Sequence, residues 1–369
     1  MYNKKNHHVI ISGGGTGGHV FPAIAIANAL IAKNEDTRIL FVGAKGRMEM
    51  EKVPAAGYKI IGLPVRGFDR KHLLRNFKVA YQLIVSLFKA WNIVRRFRPD
   101  AVIGVGGYVS GPVLFAACLR RIPTLIQEQN SYAGVTNRIL AKLVNKICVA
   151  YEDMDRYFPA KKIEITGNPV REHMMDSIMR DASIRFFDFT EDKPTILVLG
   201  GSLGARTINR SVLGCLDTFP PDIHLIWQTG SEFDDRAHRE VAQRNLQEQV
   251  KVYRFINRMD LAFAAADLVV SRAGASTISE LCITGKPCIL VPSPNVAEDH
   301  QTKNALALAT KDAAIMISDK EAVDKLMATA IDAVRKPETL EPLSENIRKL
   351  AKFNAAQTIA AIVTQLIEK

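Results

Sequence analysis

Ser12-Gly13-Gly14-Gly15-Thr16-Gly17-Gly18-His19 joins bare backbone to a titratable ring, and its spacing has a definite chemical use. It follows the β-branched run Val9-Ile10-Ile11 and opens onto Val20 to Ala32, which is patterned as a helix. A strand that stops at glycines and restarts as a helix aims N–H groups at its ligand, where the helix dipole favours negative charge, so phosphate is the expected occupant. Gly13, Gly15 and Gly18 fit G-x-G-x-x-G, a pattern that tight turns also produce for backbone reasons alone. A P-loop requires lysine and then Ser or Thr after its last glycine, and here His19 and Val20 follow Gly18. A dinucleotide site wants an acid at the end of the second strand, whereas Ile39-Leu40-Phe41-Val42 runs into Gly43-Ala44-Lys45.

A second strand and glycine turn with the same plan lies at Thr195-Ile196-Leu197-Val198-Leu199 followed by Gly200-Gly201-Ser202-Leu203-Gly204-Ala205-Arg206. Further on, Arg272-Ala273-Gly274-Ala275-Ser276-Thr277-Ile278-Ser279-Glu280 reads as a glycine turn into a helix start, with the Glu280 carboxylate in the first turns. Asp153-Met154-Asp155 is a D-x-D triplet of the kind that holds a divalent ion. Its polar surroundings, with Arg156 beside it, read as solvated helix surface.

Elements that would position these groups follow from the hydrophobic pattern. Short apolar runs alternate with longer helical stretches, which argues for parallel βαβ units. In the first half the strands are expected near residues 9–11, 39–42, 58–63, 101–105, 123–127, 146–150 and 163–165. In the second they are expected near 195–199, 223–228, 250–255, 268–271 and 287–291. Ligands of open α/β sheets collect at the carboxyl ends of the strands, so the loops are expected to face one cleft between two domains. At 369 residues, 47% of them hydrophobic, the chain can bury more than one core, which agrees with that count.

Five cysteines (Cys118, Cys148, Cys215, Cys282, Cys288) form no C-x-x-C pair, so neither a disulfide framework nor a zinc site is indicated and a reducing, cytosolic compartment is expected. The opening residues lack the charged-then-apolar pattern of a signal peptide. The uncharged stretch Ala101 to Leu119 is broken by Gly104, Gly106, Gly107, Gly111 and Pro112, so strand, loop and helix explain it better than a bilayer span.

A net charge of +11 leaves nucleic acid, an anionic membrane and phosphorylated small molecules as partner classes. From Arg66 to Arg98 the cations Arg66, Arg70, Lys71, Arg75, Lys78, Lys89, Arg95, Arg96 and Arg98 face a single acid, Asp69. They are interleaved with Leu73, Leu74, Phe77, Tyr81, Leu83, Ile84, Leu87, Phe88 and Trp91. Basic flanks around Leu, Phe and Trp fit an interfacial membrane segment, and an ordinary surface helix with its apolar face turned inward is the alternative. A nucleic-acid module is supported by charge alone, since no RRM, KH or zinc-finger spacing is present.

Taken together, GGGTGGHVFPAIAIA, GVGGYVSGP, IQEQNSYAGVTNR, GNPVR, GGSLGARTIN and SRAGASTISEL resemble the MurG family of glycosyltransferases over nearly the whole chain. That resemblance implies a GT-B fold, α/β with two Rossmann-like domains whose parallel sheets face a central cleft. It implies an N-terminal acceptor and membrane domain over residues 1–168, to which a final helix at 346–369 packs back, and a C-terminal UDP-GlcNAc-binding domain over 169–345. It further implies transfer of N-acetylglucosamine from UDP-GlcNAc to the C4 hydroxyl of undecaprenyl-diphosphate-linked N-acetylmuramyl-pentapeptide, lipid I to lipid II. The resemblance implies that no metal and no cofactor take part, and that the enzyme is peripheral on the cytoplasmic face of the inner membrane, in peptidoglycan synthesis and hence in cell shape and division.

Carried over by motif, the donor site comprises Thr16, Gly17, Gly18, Asn130, Arg171, Ser202, Ile256, Ala275, Ser276, Thr277, Ile278, Ser279, Glu280 and Gln301. Ser202 suits a phosphate oxygen, Ile256 the uracil edge, Glu280 the ribose diol, and Gln301 the sugar hydroxyls. The chain departs from the family pattern at Leu203, at Ser276 and around Gln301, where His300 and Thr302 flank a single glutamine. An α-linked donor and a β-linked product call for one in-line displacement with a base on the acceptor hydroxyl. His19 is the candidate base, with acceptor-diphosphate binding or capping of the turn as its alternative roles. Arg171 is the candidate for stabilising the leaving UDP. A non-hydrolysing UDP-GlcNAc 2-epimerase shares the architecture and the donor and is the alternative enzyme.

Overall fold

The computed structural model describes residues 6–65, 76–170, 178–201, 204–296 and 299–369, with the side chains of 76–78 also outside the description. The chain divides into two compact units, Met1–Arg171 with Lys352–Lys369, and Glu172–Ala351.

The first unit runs β1 (His8–Ser12), α1 (Gly17–Lys33), β2 (Arg38–Ala44), α2 (Glu49–Ala55), β3 (Lys59–Leu63), α3 (Asn76–Phe97), β4 (Ala101–Gly104), α4 (Ser110–Leu119), β5 (Thr124–Glu128), α5 (Val135–Leu140), β6 (Lys146–Val149) and β7 (Ile163–Ile165). Among the described residues its sheet is parallel, in the order β3-β2-β1-β4-β5-β6-β7. Strands covered by helices on both faces read as unbroken apolar runs. Accordingly Val9, Ile10 and Ile11 are fully buried, with Ile10 in the core on one face and Val9 and Ile11 in the core on the other.

The second unit runs α6 (Arg180–Phe186), β8 (Thr195–Leu199), α7 (Arg206–Cys215), β9 (His224–Gln228), α8 (Asp234–Gln243), β10 (Val250–Tyr253), α9 (Met259–Ala265), β11 (Leu268–Ser271), α10 (Ala275–Thr284), β12 (Cys288–Leu290), α11 (His300–Ala309), β13 (Ile315–Met316), α12 (Ala322–Val334) and α13 (Pro337–Lys349). Its parallel order, β10-β9-β8-β11-β12-β13, again has the first strand of the unit inside and the next two on one side of it. In both sheets the strand order therefore reverses beside the first strand, at β1/β4 and at β8/β11, where an open α/β sheet forms its ligand crevice.

Three local readings differ from expectation. The helix expected over 346–369 is two helices, since α13 ends at Lys349 in the second unit and α14 (Ala355–Glu368) packs on α1 in the first. Asn354 in the left-handed region (φ 58°), a conformation that its short polar side chain tolerates, forms the break. Strand β13, only two residues long, was not expected. Asp153 and Asp155 lie on a 3₁₀ turn rather than on a helix, both exposed, and among the described residues no group of three His, Cys, Asp or Glu is placed to hold a metal.

All five cysteines are free thiols. Burial, helped by nearby Glu164, pushes the Cys148 thiol up to about 12, so it behaves as a small apolar side chain. No described helix is long and apolar enough to cross a membrane. Residues 101–119 form β4, a glycine loop and α4.

Candidate functional site

In the first unit the loop after β1 delivers Thr16, Gly17 and Gly18 to the start of α1, with Thr16 in extended conformation as its N-cap. The first N–H groups of a helix have no intrahelical acceptor and are available to an anion. His19 Nδ1 lies 2.9 Å from the Gly14 carbonyl oxygen and 3.3 Å from Thr16 Oγ1. A carbonyl only accepts, so a proton sits on Nδ1, and in the neutral form of the ring the lone pair falls on Nε2. The Nε2 edge turns toward the loop after β4. A Cβ at Gly106 (φ +100°) would stand 2.9 Å from Nε2 and 2.7 Å from Cδ2, so only glycine lets the ring lie there.

Asn130 follows the end of β5 and is held by Glu128, a buried carboxylate whose four contacts order the whole turn. Glu128 Oε1 accepts from the backbone N–H (3.1 Å) and Nδ2 (3.3 Å) of Asn130, and Oε2 accepts from Gly134 N–H (3.0 Å) and Asn137 Nδ2 (2.8 Å). A chain of buried amides runs beneath it. Gln129 Nε2 donates to the Val105 carbonyl (2.7 Å) and pairs closely with Gln127 Oε1. Gln127 donates to Asn168 Oδ1 (2.9 Å), and Asn168 donates to the Gln129 carbonyl (3.0 Å).

A second buried acid, Glu49 at the start of α2, reaches back under the first glycine loop. Its Oε2 accepts from Gly15 N–H (3.0 Å) and its Oε1 from Ala44 N–H (2.9 Å).

In the second unit the loop after β8 is organised by Gln228 at the end of β9. Its Nε2 donates to the Gly201 carbonyl (3.1 Å) and its Oε1 accepts from Ile256 N–H (2.9 Å), so one amide sets both the glycine turn and Ile256. Gly204 (φ +86°) approaches so close that a Cβ there would be 2.4 Å from the Thr229 carbonyl oxygen. Asp319 ties the start of α7 to the turn before α10, accepting from Thr207 Oγ1 (3.0 Å) and Arg272 Nη1 (2.5 Å). Ile256 itself is buried.

Residues 275–280 form the first turns of α10, capped by Gly274. Ala275, Ile278 and Glu280 are buried, and Ser279 Oγ donates to the Ala275 carbonyl (2.9 Å). Ser276 Oγ is buried with no hydrogen-bond partner among the described residues, a polar atom left unsatisfied in the first turn of α10. Gln301, at the start of α11, accepts from Ser293 N–H (2.8 Å) through Oε1, which turns its amide N–H₂ to other partners.

Within the first unit the structure brings Thr16, Gly17, Gly18, His19 and Asn130 to the carboxyl ends of β1 and β5. Within the second it brings Ile256, residues 275–280 and Gln301 to the carboxyl ends of β10, β11 and β12. Arg171, Ser202 and Leu203 lie outside the described residues, as do Arg66, Asp69, Arg70, Lys71, Leu73, Leu74 and Arg75. So do the side chains of Phe77 and Lys78. Sequence reading did not single out Glu49, Glu128, Gln228 or Asp319. Glu128 sits inside the quoted EQN run and was within reach, whereas Glu49 is 34 residues from its partner and carries no local signal.

Residues 9–149 match the glycosyltransferase family 28 N-terminal domain, and residues 195–360 match the glycosyltransferase family 28 C-terminal domain. The chain is 56% identical to the UDP-N-acetylglucosamine--N-acetylmuramyl-(pentapeptide) pyrophosphoryl-undecaprenol N-acetylglucosamine transferase of Parabacteroides distasonis, over 99% of this chain and 100% of that protein. A crystal structure of Acinetobacter baumannii MurG superposes with a TM-score of 0.78 at 27% identity, covering 97% of this chain and 99% of that one. The UDP-GlcNAc 2-epimerase of Neisseria meningitidis, bound to UDP-GlcNAc, has a TM-score of 0.67 at 14% identity over 97% of this chain and 100% of that one, a likeness of fold alone.

Proposed function

The chain belongs to glycosyltransferase family 28, and on that premise we propose how its residues divide the work of moving N-acetylglucosamine from UDP-GlcNAc to undecaprenyl-diphosphate-linked N-acetylmuramyl-pentapeptide. The observation that carries the reaction is the 56% identity, end to end, with a protein of that name. Epimerisation is not favoured, because the epimerases share the fold at 14% identity or less while full-length relatives at 51–56% identity are named transferases.

The acceptor C4 hydroxyl attacks the anomeric carbon as the bond from that carbon to the UDP oxygen breaks, and the hydroxyl proton passes to His19 Nε2. Support for this role is the Nδ1–H bond to the Gly14 carbonyl, which selects the tautomer able to take that proton. On the donor side Glu280 accepts from the ribose hydroxyls, the Ile256 region meets the uracil edge, and the Gln301 amide donates to the sugar. Ser276 Oγ and the first N–H groups of α10 meet the diphosphate region. Thr16, Gly17, Gly18 and Asn130, in the first unit, are assigned to donor binding by motif. Arg171 and Ser202, outside the described residues, are assigned by motif alone, and Arg171 would stabilise the charge that UDP gains on leaving, so the scheme needs no metal.

Docking to the anionic inner leaflet, on the cytoplasmic side, is assigned to the first unit. On α3 the inward face is small, Ser86, Ala90 and Val94, while Tyr81, Ile84, Phe88 and Trp91 form an exposed stripe, Phe88 at 70%. Helix α3 packs on α4 and α4 on α5, adding exposed Phe115, Leu119 and Ile139, with Arg120, Arg121, Arg138 and Lys142 among them. The Arg120 guanidinium lies over the Trp91 ring at 5.2 Å. Each cation near such a surface contributes about 1 kcal/mol, and the apolar stripe adds insertion that salt does not screen. Liposome sedimentation is expected to rise with anionic lipid, to fall only in part at high salt, and to fall further when Ile84 and Phe88 become serine. Binding unchanged in that variant moves the membrane face elsewhere.

The reaction itself is tested by incubating the protein with UDP-GlcNAc and a lipid-diphosphate acceptor. UDP release only with acceptor is the expected result, and UDP-ManNAc formed without acceptor would replace transfer by epimerisation.

A further inference from the structure

Glu49 and His19 bond to opposite ends of one peptide group. The Gly14 carbonyl accepts from His19 Nδ1–H at 2.9 Å, and the N–H of the same peptide, on Gly15, donates to Glu49 Oε2 at 3.0 Å. No peptide bond described is cis, so this carbonyl and N–H point in opposite directions and the bonds run in series from carboxylate to peptide to imidazole. Glu49 is 1% exposed, its other oxygen accepts from Ala44 N–H, and among the described residues it has no cationic partner. A buried carboxylate beneath a loop that is built to meet anions works against anion binding there, so its place in the fold points to another task.

We propose that Glu49 is the positioning residue for His19, acting through the Gly14–Gly15 peptide, which takes the place of the carboxylate that orients a catalytic histidine directly in other enzymes. The assignment rests on His19 as the base. A negative charge on the N–H side polarises the peptide and enriches its carbonyl oxygen, and bonds in such a chain strengthen one another. The stronger acceptor holds Nδ1–H, keeps Nε2 as the basic atom and stabilises the imidazolium that forms when Nε2 takes the acceptor proton. The Thr16 hydroxyl and the Gly106 backbone, which also face the ring, carry no charge. A Cβ at Gly14 would fall 2.0 Å from Glu49 Oε1, so the carboxylate and the loop are fitted to one another.

Glu49→Gln keeps the shape but offers one acceptor oxygen for two N–H groups, and its own N–H₂ then faces a donor. With histidine labelled in ¹⁵N and the His19 signal assigned by its loss in His19→Ala, the imidazole pKa is expected to fall by about half a unit to one unit in Glu49→Gln. The acid limb of kcat/KM should move with it. We expect kcat to drop about tenfold to a hundredfold while the KM for UDP-GlcNAc changes less than about twofold. In a His19→Ala background Glu49→Gln should cost almost nothing more. Gly14→Ala, which must displace the carboxylate, provides the same readings if Glu49→Gln does not fold. An unmoved imidazole pKa in a folded variant, or an equal further loss of kcat in the His19→Ala background, would overturn the coupling. Near-normal kcat in His19→Ala together with a shifted imidazole would remove His19 as base and uphold the coupling.

Discussion

The glycine loop after β1 is tied down by a carboxylate and the loop after β8 by an amide, although both follow the first strand of a parallel sheet and both open onto a helix. Glu49 holds the first through the Gly15 N–H, and Gln228 holds the second through the Gly201 carbonyl. Backbone geometry explains why each loop needs glycine and a buried side chain to brace it. It does not explain why one brace is charged. A fixed negative charge favours an imidazolium forming nearby and opposes an incoming diphosphate. With the roles proposed above, the charged brace suits a loop that presents a base, and the neutral brace suits a loop that cradles UDP.

The largest expected effect breaks the comparison on the catalytic side. His19→Ala should lower kcat by about 10² to 10⁴ with the donor KM nearly unchanged, and a kcat close to that of the parent would leave the first loop without the chemistry its brace implies. The donor side is tested by Glu280→Ala, which should raise the UDP-GlcNAc KM by about ten- to a hundredfold with a smaller change in kcat. That corresponds to the roughly 1.5 to 3 kcal/mol of a hydrogen bond to a charged group. Equal UDP affinity in mutant and parent, read by calorimetry, would remove Glu280 from the ribose.

Gln228→Glu sharpens the contrast most directly, since it gives the second loop the charged brace of the first. Its carboxylate can still accept from Ile256 N–H, but it repels the Gly201 carbonyl and any bound diphosphate. UDP affinity is expected to fall about tenfold at neutral pH. UDP binding that does not respond would mean that brace charge is irrelevant there.

The smallest effect concerns the other end of β9. His224 is 3% exposed, stacks on Phe189 at 3.9 Å, and is pushed down to about 4 by burial and then by nearby Lys193. Between about 4 and the ordinary 6.5, the unfolded chain binds a proton there that the folded chain does not. Stability is therefore full above 6.5 and declines as pH falls toward 4, by no more than about 1.4 kcal/mol per pH unit. Urea midpoints followed from pH 7 to 4 should show this slope, and His224→Gln should flatten it. A parent and mutant with the same slope would place the acid sensitivity of this unit elsewhere.

Much of this was legible in the sequence because buried parallel strands leave unbroken apolar runs, as at Val9-Ile10-Ile11 and Thr195-Ile196-Leu197-Val198-Leu199. The glycine turns after them mark where each strand hands over to a helix. What was not legible is long-range or small. Two residues, Ile315 and Met316, form strand β13 only because Leu290 and its neighbours offer an edge to pair with. Glu49 reads as an ordinary helix-start acid until the fold brings it under Gly15, where its second oxygen accepts from Ala44 N–H at the end of β2. The outward residues of α4 and α5 were hidden for another reason. An uncharged stretch looks alike whether it lines a core or faces outward, so Phe115 and Leu119 could be sorted only by the packing of α3 and α4.

Helix α14 places Ile359, Ala360 and Val363 in the same core as Val9, Ile11, Val20 and Ile26, while residues 172–351 form a unit of their own in between. During synthesis the second unit is therefore a continuous stretch that can fold as soon as it emerges. The first must wait, with one apolar face uncovered, for a partner made some 350 residues after β1. At about 5–20 residues per second that delay is tens of seconds, long enough for holdase chaperones to matter to one half of this enzyme and not to the other.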